Sequence, residues 1–207
     1  MSIQLAQFAQ LVASENFGIA EAALLVAQDV YRDVNVASYL QRLDEFADVI
    51  RSRVPEDAYP EQKVLAMNFH LFRELGFNGN IDDYYDPRNS YLNEVIERRT
   101  GIPLTLSIVY LEVGRRLGLN VKGVSFPGHF LVKLQVNRGQ LVIDPFLAGE
   151  TQSEAGLRQR LAQVLPAGLA EKSSIQRYLE TATPRQVIAR MLRNLKNIYL
   201  KIGRAHV

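Results

Sequence analysis

The sequence predicts an α+β chain: a central helix leaning on an antiparallel sheet, with a helical lobe before them and further helices after. Three observations carry this. Apolar residues recur with a helical period up to Gly76, the period changes to two between about residues 119 and 146, and it becomes helical again after Thr151. The 207 residues are 47% hydrophobic and 22% charged, enough for one domain or for one domain with a helical lobe.

Leu5, Phe8, Ala9 and Val12 place a first helix over Ile3 to Val12, and an Ala- and Leu-rich second helix follows from Ile19 to Val30. Val36 to Arg51 carries the clearest stripe, Tyr39, Leu40, Leu43, Phe46, Ala47 and Ile50. Pro60 opens a fourth helix with Val64, Leu65, Phe69 and Phe72 on its apolar side, and Gly76 ends it. The stretch from Phe77 to Pro87 is a loop with an acidic tip that carries tyrosines, Asp82 to Asp86. Asn89 or Ser90 is expected to cap a helix that runs to Arg99 and is closed by Gly101. Arg98 and Arg99 suit the negative end of that helix, within reach of the acidic loop for a salt bridge. Pro103 opens the central helix, because a proline in the first position loses no needed N–H. That helix carries Ile108, Leu111, Glu112 and Leu117 and stops at Gly118.

Val121, Val124 and Phe126 then alternate, as do Phe130, Val132, Leu134 and Val136, and Leu141 and Ile143 follow the turn Asn137-Arg138-Gly139. This is an antiparallel hairpin or meander packed on the central helix. Thr151 to Leu165 reads as an amphipathic helix with Leu157, Leu161 and Val164 inward. Thr183-Pro184-Arg185-Gln186 has the form of a capping box, with Val187, Ile188, Met191, Leu192, Leu195 and Tyr199 on one face behind it. Leu192, Leu195 and Tyr199 are expected to be partly exposed, which favours self-association through this C-terminal helix. The expected divisions are a helical lobe at 1–88, a core at 89–150, C-terminal helices at 151–201 and an artefact at 202–207. The last six residues translate ATC GGA AGA GCA CAC GTC, a string that resembles a sequencing-adapter read. On that reading the natural gene continues past Lys201, and His206 carries no function.

Composition excludes several functions. With no cysteine there are no disulfides, no thiolate zinc sites and no cysteine nucleophile. A net charge of +2, evenly spread, argues against a nucleic-acid or polybasic membrane surface. No apolar run reaches the ~18 residues of a membrane span, and no secretory signal opens the chain, so a cytoplasmic location is the expectation. The histidines are His70, His129 and His206, of which His70 reads as structural. A His–Asp pair supplies too few ligands for a metal, and no cofactor is implied.

The chemistry is concentrated between Gly101 and Phe146. A helix starts at residue 103, a strand opens with Pro127-Gly128-His129-Phe130, and another ends in Ile143-Asp144-Pro145-Phe146. Helix N-terminus, histidine and carboxylate, in that order, is the papain-like layout. There the helix dipole lowers the pKa of a nucleophile, the histidine is the base and the aspartate orients it. The runs NSYLNEVIERRTGIPLTLSIVYLEVGRRLGL, GVSFPGHFLVKL and VIDPF, with GFNGNIDDYYDPRNS upstream, resemble the SirB-type branch of the transglutaminase-like superfamily over roughly residues 5 to 201. The resemblance implies a papain/transglutaminase-like core in a bacterial protein, with tetratricopeptide repeats following the domain. It makes His129 and Asp144 the catalytic histidine and aspartate and puts the nucleophilic cysteine at Pro103, where proline has no nucleophile.

Two functions follow. The first is a non-catalytic transglutaminase-like domain that serves as a binding or scaffolding module in a bacterial cytoplasm for an unidentified protein partner. Its binding residues would be Asn89, Tyr85 and Thr105, and its rim the acidic aromatic loop. The alternative is a weak hydrolase or amidase that keeps His129 and Asp144 and recruits Ser107, Thr105 or an activated water. Thr105 lies about 200° round the helix from position 103 and should face away from His129. Ser107 is one turn deeper, its hydroxyl expected to bond a carbonyl one turn back. Equally, His129 and Asp144 read as a buried hydrogen bond that pins two strands together.

Overall fold

Four helices build the first third of a computed structural model that describes residues 3–137, 139–166 and 168–205: α1 (Ile3–Ala13), α2 (Ile19–Gln28), α3 (Val36–Arg51) and α4 (Pro60–Asn68). Asn35 caps α3 by accepting from the Ser38 N–H at 3.2 Å, and Leu43, Phe46, Ala47 and Ile50 are buried as the stripe predicts. The fourth stripe is rotated. Val64, Met67 and Leu71 face the core, while Leu65 and Phe69, one turn apart on the outer side, are 70% and 56% exposed. The helix widens into a π-turn over Phe69–Glu74 and ends at Gly76, whose φ of +73° suits glycine.

The following segment departs from its expected caps. β1 (Asn78–Gly79) pairs in parallel with β2 (Thr100–Gly101). Asp86 caps a short 3-10 turn at Pro87–Ser90, accepting from the Arg88 N–H at 2.9 Å, and α5 (Leu92–Arg98) then starts at Tyr91 without a side-chain cap. Neither Asn89 nor Ser90 caps α5, because both are buried within the 3-10 turn. Arg99, not Gly101, closes α5 with a left-handed φ of +58°. Its guanidinium lies 4.9 and 5.0 Å from the ring centroids of Phe46 and Phe77, and these contacts offset the backbone strain.

α6 (Pro103–Arg116) is the central helix and is buried from Pro103 to Gly114. Gly118, at φ +75°, ends its last turn. Its polar end is held by Glu112, which accepts from Arg115 at 3.1 Å and Arg116 at 2.7 Å. The sheet is antiparallel in the order β3 (Val121–Val124), β4 (Leu131–Val136), β5 (Gly139–Asp144), β6 (Glu150–Thr151).

Both faces of this sheet are covered. Val121, Val132, Leu134 and Ile143 join α6 and the helical lobe in one core that runs from Phe17 to Leu195. Val124, Leu131 and Val142 join a second core under α7 (Glu154–Val164), α8 (Leu169–Lys172) and a 3-10 turn at Ile175–Leu179. Two-sided burial explains why Leu131 is as buried as Val132 where strict alternation expects a polar residue. On α7, Leu157 and Leu161 point inward as expected, whereas Val164 is half exposed.

α9 (Pro184–Ala205) begins with the predicted capping box. The Thr183 N–H donates to Gln186 Oε1 at 2.8 Å and the Gln186 N–H to Thr183 Oγ1 at 3.2 Å. Val187, Ile188, Met191 and Leu195 are buried, so Leu195 leaves the exposed face, while Leu192 and Tyr199 stay on it. The Tyr199 hydroxyl lies 3.0 Å from that of Tyr91. His206 lies outside the described residues.

Candidate functional site

His129 is presented by a tight turn. Its N–H donates to the Phe126 carbonyl at 3.1 Å, and Gly128 takes a φ of +69° that lets the chain reverse into β4. Asp144 ends β5 and caps the 3-10 turn Pro145–Leu147, accepting from the Phe146 N–H at 3.1 Å. Its side chain is fully buried. His129 Nε2 lies 2.9 Å from both carboxylate oxygens, and Arg160, reaching over from α7, donates to Oδ2 at 2.8 Å. Asp144 therefore gathers partners from three elements, and the Arg160 guanidinium sets a cation against its buried carboxylate. The imidazole is largely buried, with Nδ1 free of any hydrogen bond to a described residue.

Pro103, the first residue of α6, is itself buried. Thr105 is fully buried and its hydroxyl is committed: it donates to the Asn89 carbonyl at 2.7 Å and accepts from the Ile102 N–H at 3.2 Å, closing the first turn of α6. Ser107 is fully buried, and its Oγ has no hydrogen-bond partner among the described residues, so the expected bond one turn back is not made. Neither hydroxyl bonds His129.

The acidic loop reaches the histidine through rings. Tyr85 meets Tyr84 at 5.4 Å between centroids, Tyr84 meets Phe146 at 6.3 Å, and Phe146 meets the His129 ring edge-on at 6.0 Å. Gly79 makes room for this ladder, because a Cβ there would fall 2.5 Å from the Phe146 ring. Burial raises the Tyr84 phenol above its ordinary pKa. Tyr85 is more than half exposed, and Lys201 Nζ lies 3.6 Å from its ring centroid. Asn89 works from beneath. Fully buried, its amide donates to the Asp83 carbonyl at 2.7 Å and the Tyr84 carbonyl at 3.3 Å and accepts from Asn80 at 3.1 Å. The structure thus brings His129, Asp144 and the two tyrosines into one chain of contacts and leaves Asn89 and Thr105 below it as supports. Arg160 went unread because an arginine on the polar side of a helix carries no sequence signal.

Arg98 reaches Asp86 at 3.4 Å, the salt bridge to the acidic loop that the sequence suggests. Burial pushes the Asp86 carboxyl up, but the hydrogen bonds and charge of Arg88, with Arg98, outweigh it and hold the pKa below the ordinary value. A depressed carboxylate contributes stability above its unfolded pKa and loses it as pH falls through the folded one. Asp86→Asn is therefore expected to flatten the acid limb of the stability curve below about pH 4 in urea unfolding. An unchanged acid limb would show that the Asp86 pairings contribute nothing to folding. His70 is buried as expected, its Nδ1 2.6 Å from Glu74 Oε2. Among the described residues no group of three or more histidine and acidic side chains is placed to hold a metal.

The chain matches the transglutaminase-like superfamily over residues 37–193. A UPF0162 protein of Xylella fastidiosa is 42% identical over 193 residues, 93% of this chain and 69% of that protein. The UPF0162 protein of Pseudomonas aeruginosa is 31% identical over 193 residues, 93% and 68% of the two chains. Human F-box only protein 21 is 43% identical over 82 residues, 40% of this chain and 13% of that protein. No solved structure matches. With a histidine from the turn before β4 joined to the aspartate that ends β5, the chain belongs to the transglutaminase-like superfamily, alongside the bacterial UPF0162 proteins.

Proposed function

We propose that this chain is a binding module of the SirB-type branch, acting in the bacterial cytoplasm beside tetratricopeptide repeats, in which the transglutaminase-like scaffold is kept and its covalent chemistry is not. The observation that carries this is a chain without cysteine whose buried Pro103 stands where the resemblance puts the nucleophile. The surroundings support it. Thr105 is committed to its own helix turn, and Asp144 is shared with Arg160 in a contact that fastens α7 to the sheet. The similarity to human F-box only protein 21, confined to 13% of that protein, suits a unit used in more than one setting. No helix among the described residues is long and apolar enough to cross a membrane. The surface offered to a partner is the Tyr84–Tyr85 tip, which Asn89 holds in place.

One observation favours the hydrolase reading: the Ser107 hydroxyl has no hydrogen-bond partner among the described residues. A single experiment separates the two. Native protein is treated with a fluorophosphonate probe, and turnover of p-nitrophenyl acetate is compared with that of His129→Ala. The expected result is no labelling and equal turnover. Labelling of Ser107 or Thr105, or turnover that disappears in His129→Ala at unchanged stability, would overturn the binding-module reading.

A further inference from the structure

The turn that presents His129 has a second side. Ser125 and Pro127 from that turn, Arg177 and Glu180 from the segment after α8, and Gln186 and Arg193 from α9 line a cleft of about 380 Å³. Arg190, on the same helix as Arg193, ties α9 to that turn behind the cleft. Its Nη1 donates to Ser125 Oγ at 2.8 Å and to the Phe126 carbonyl at 3.1 Å, and its guanidinium lies 5.6 Å from the Phe130 ring centroid. The Phe126 carbonyl is the one that also receives the His129 N–H.

These arginines differ from others in the fold. Arg98, Arg116, Arg158 and Arg160 each reach a carboxylate. Arg177, Arg190 and Arg193 form no ion pair among the described residues, and the exposed Glu180 on the cleft wall pairs with none of them. Burial, with the charge of nearby Arg193, lowers the pKa of Arg190 against the opposing influence of Tyr84. The cleft thus sets two exposed, unpaired guanidiniums, Arg177 and Arg193, beside the half-buried Arg190 with its neutral partners, an arrangement an anion relieves. Guanidinium forks suit planar carboxylates and phosphates, which they bind through paired N–H donors. The volume suits one or two side chains rather than a folded surface, and Pro127 and Tyr178 add apolar wall for the chain that carries the anion.

We propose that this cleft binds an oxyanion carried by an extended peptide, a carboxylate or a phosphate, beside the turn that presents His129. The proposal gives a chemical class to the partner of the binding-module reading and rests on that reading only for the partner being a polypeptide. The anion affinity is measured directly and does not depend on whether His129 takes part in turnover.

The test uses the full chain, labelled with nitrogen-15, at constant ionic strength. The arginine side-chain N–H signals are followed while N-acetyl-Glu-Glu-amide or inorganic phosphate is added. At least one probe is expected to saturate, with Arg177→Gln/Arg193→Gln weakening it by about tenfold or more and the exposed, distant Arg73→Gln by less than about twofold. All three positions are exposed, so folding is retained, and thermal unfolding verifies it. Saturation by the acidic peptide alone assigns a carboxylate as the natural group, and saturation by phosphate alone assigns a phosphorylated residue. Linear, non-saturating shifts with both probes, or equal weakening by Arg73→Gln, overturn the proposal.

Discussion

Asp144→Ala is expected to remove about 3–4 kcal/mol of folding stability, and Asp144→Asn about half of that. The carboxylate is fully buried and accepts from His129, Arg160 and the Phe146 N–H, so alanine deprives three donors from three elements of their acceptor at once. Hydrogen bonds to a charged group are worth roughly 1.5–3 kcal/mol each. The total stays below their sum because the Arg160 side chain is 26% exposed and can turn to water. Asparagine keeps the volume and an acceptor for Phe146 but gives up the charge that holds Arg160. His129→Ala should cost less than either, since it leaves the Asp144–Arg160 pair intact. Urea unfolding of the three variants tests the order. A cost of less than about 1 kcal/mol for Asp144→Ala would mean that the pair does not fasten α7 to the sheet, and the structural support for a non-catalytic role would be lost.

The same cluster shows how much of the molecule was legible in sequence. The bounds of α3, the opening of α6 at Pro103 and the reciprocal cap at Thr183 and Gln186 could be read because each depends on residues within a few positions of one another. His129 and Asp144 were legible as a motif, and the structure joins them. What stayed hidden depends on contacts between distant segments. Arg99 ends α5 in a left-handed conformation because Phe46 and Phe77, 53 and 22 positions earlier, supply rings for its guanidinium. Asn89 has the composition of a helix cap, yet it ties down the loop at Asp83 and Tyr84. The sheet reads as one-sided because alternation shows only the face toward α6, whereas the second core is assembled from pieces between Val124 and Leu179. Arg160 and the arginine cleft were hidden for the same reason: exposed-looking arginines acquire meaning only from what packs beside them.

Gly149→Ala is the second substitution with a large expected effect, about 3 kcal/mol, and it acts on the same turn from the opposite side. Gly149 has a φ of +79°, and its N–H donates to the Asp144 carbonyl at 3.0 Å. Asn68, at the end of α4, donates to the Gly149 carbonyl at 3.0 Å and accepts the Tyr110 hydroxyl at 2.8 Å, so one amide joins the helical lobe, the central helix and the turn after Asp144. A Cβ at position 149 would stand 2.4 Å from Asn68 Oδ1. Alanine there adds left-handed strain of about 1 kcal/mol. By displacing the Asn68 amide it also breaks two hydrogen bonds worth about 1 kcal/mol each, one of them leaving the fully buried Tyr110 without its acceptor. A double-mutant cycle with Asn68→Ala separates these contributions. If the amide transmits the cost, the two substitutions together should destabilise by clearly less than their sum, because Asn68→Ala removes both the clash and the bonds. Strict additivity would confine the effect of Gly149→Ala to its own backbone and remove Asn68 as the link between the lobe and the turn that carries Asp144.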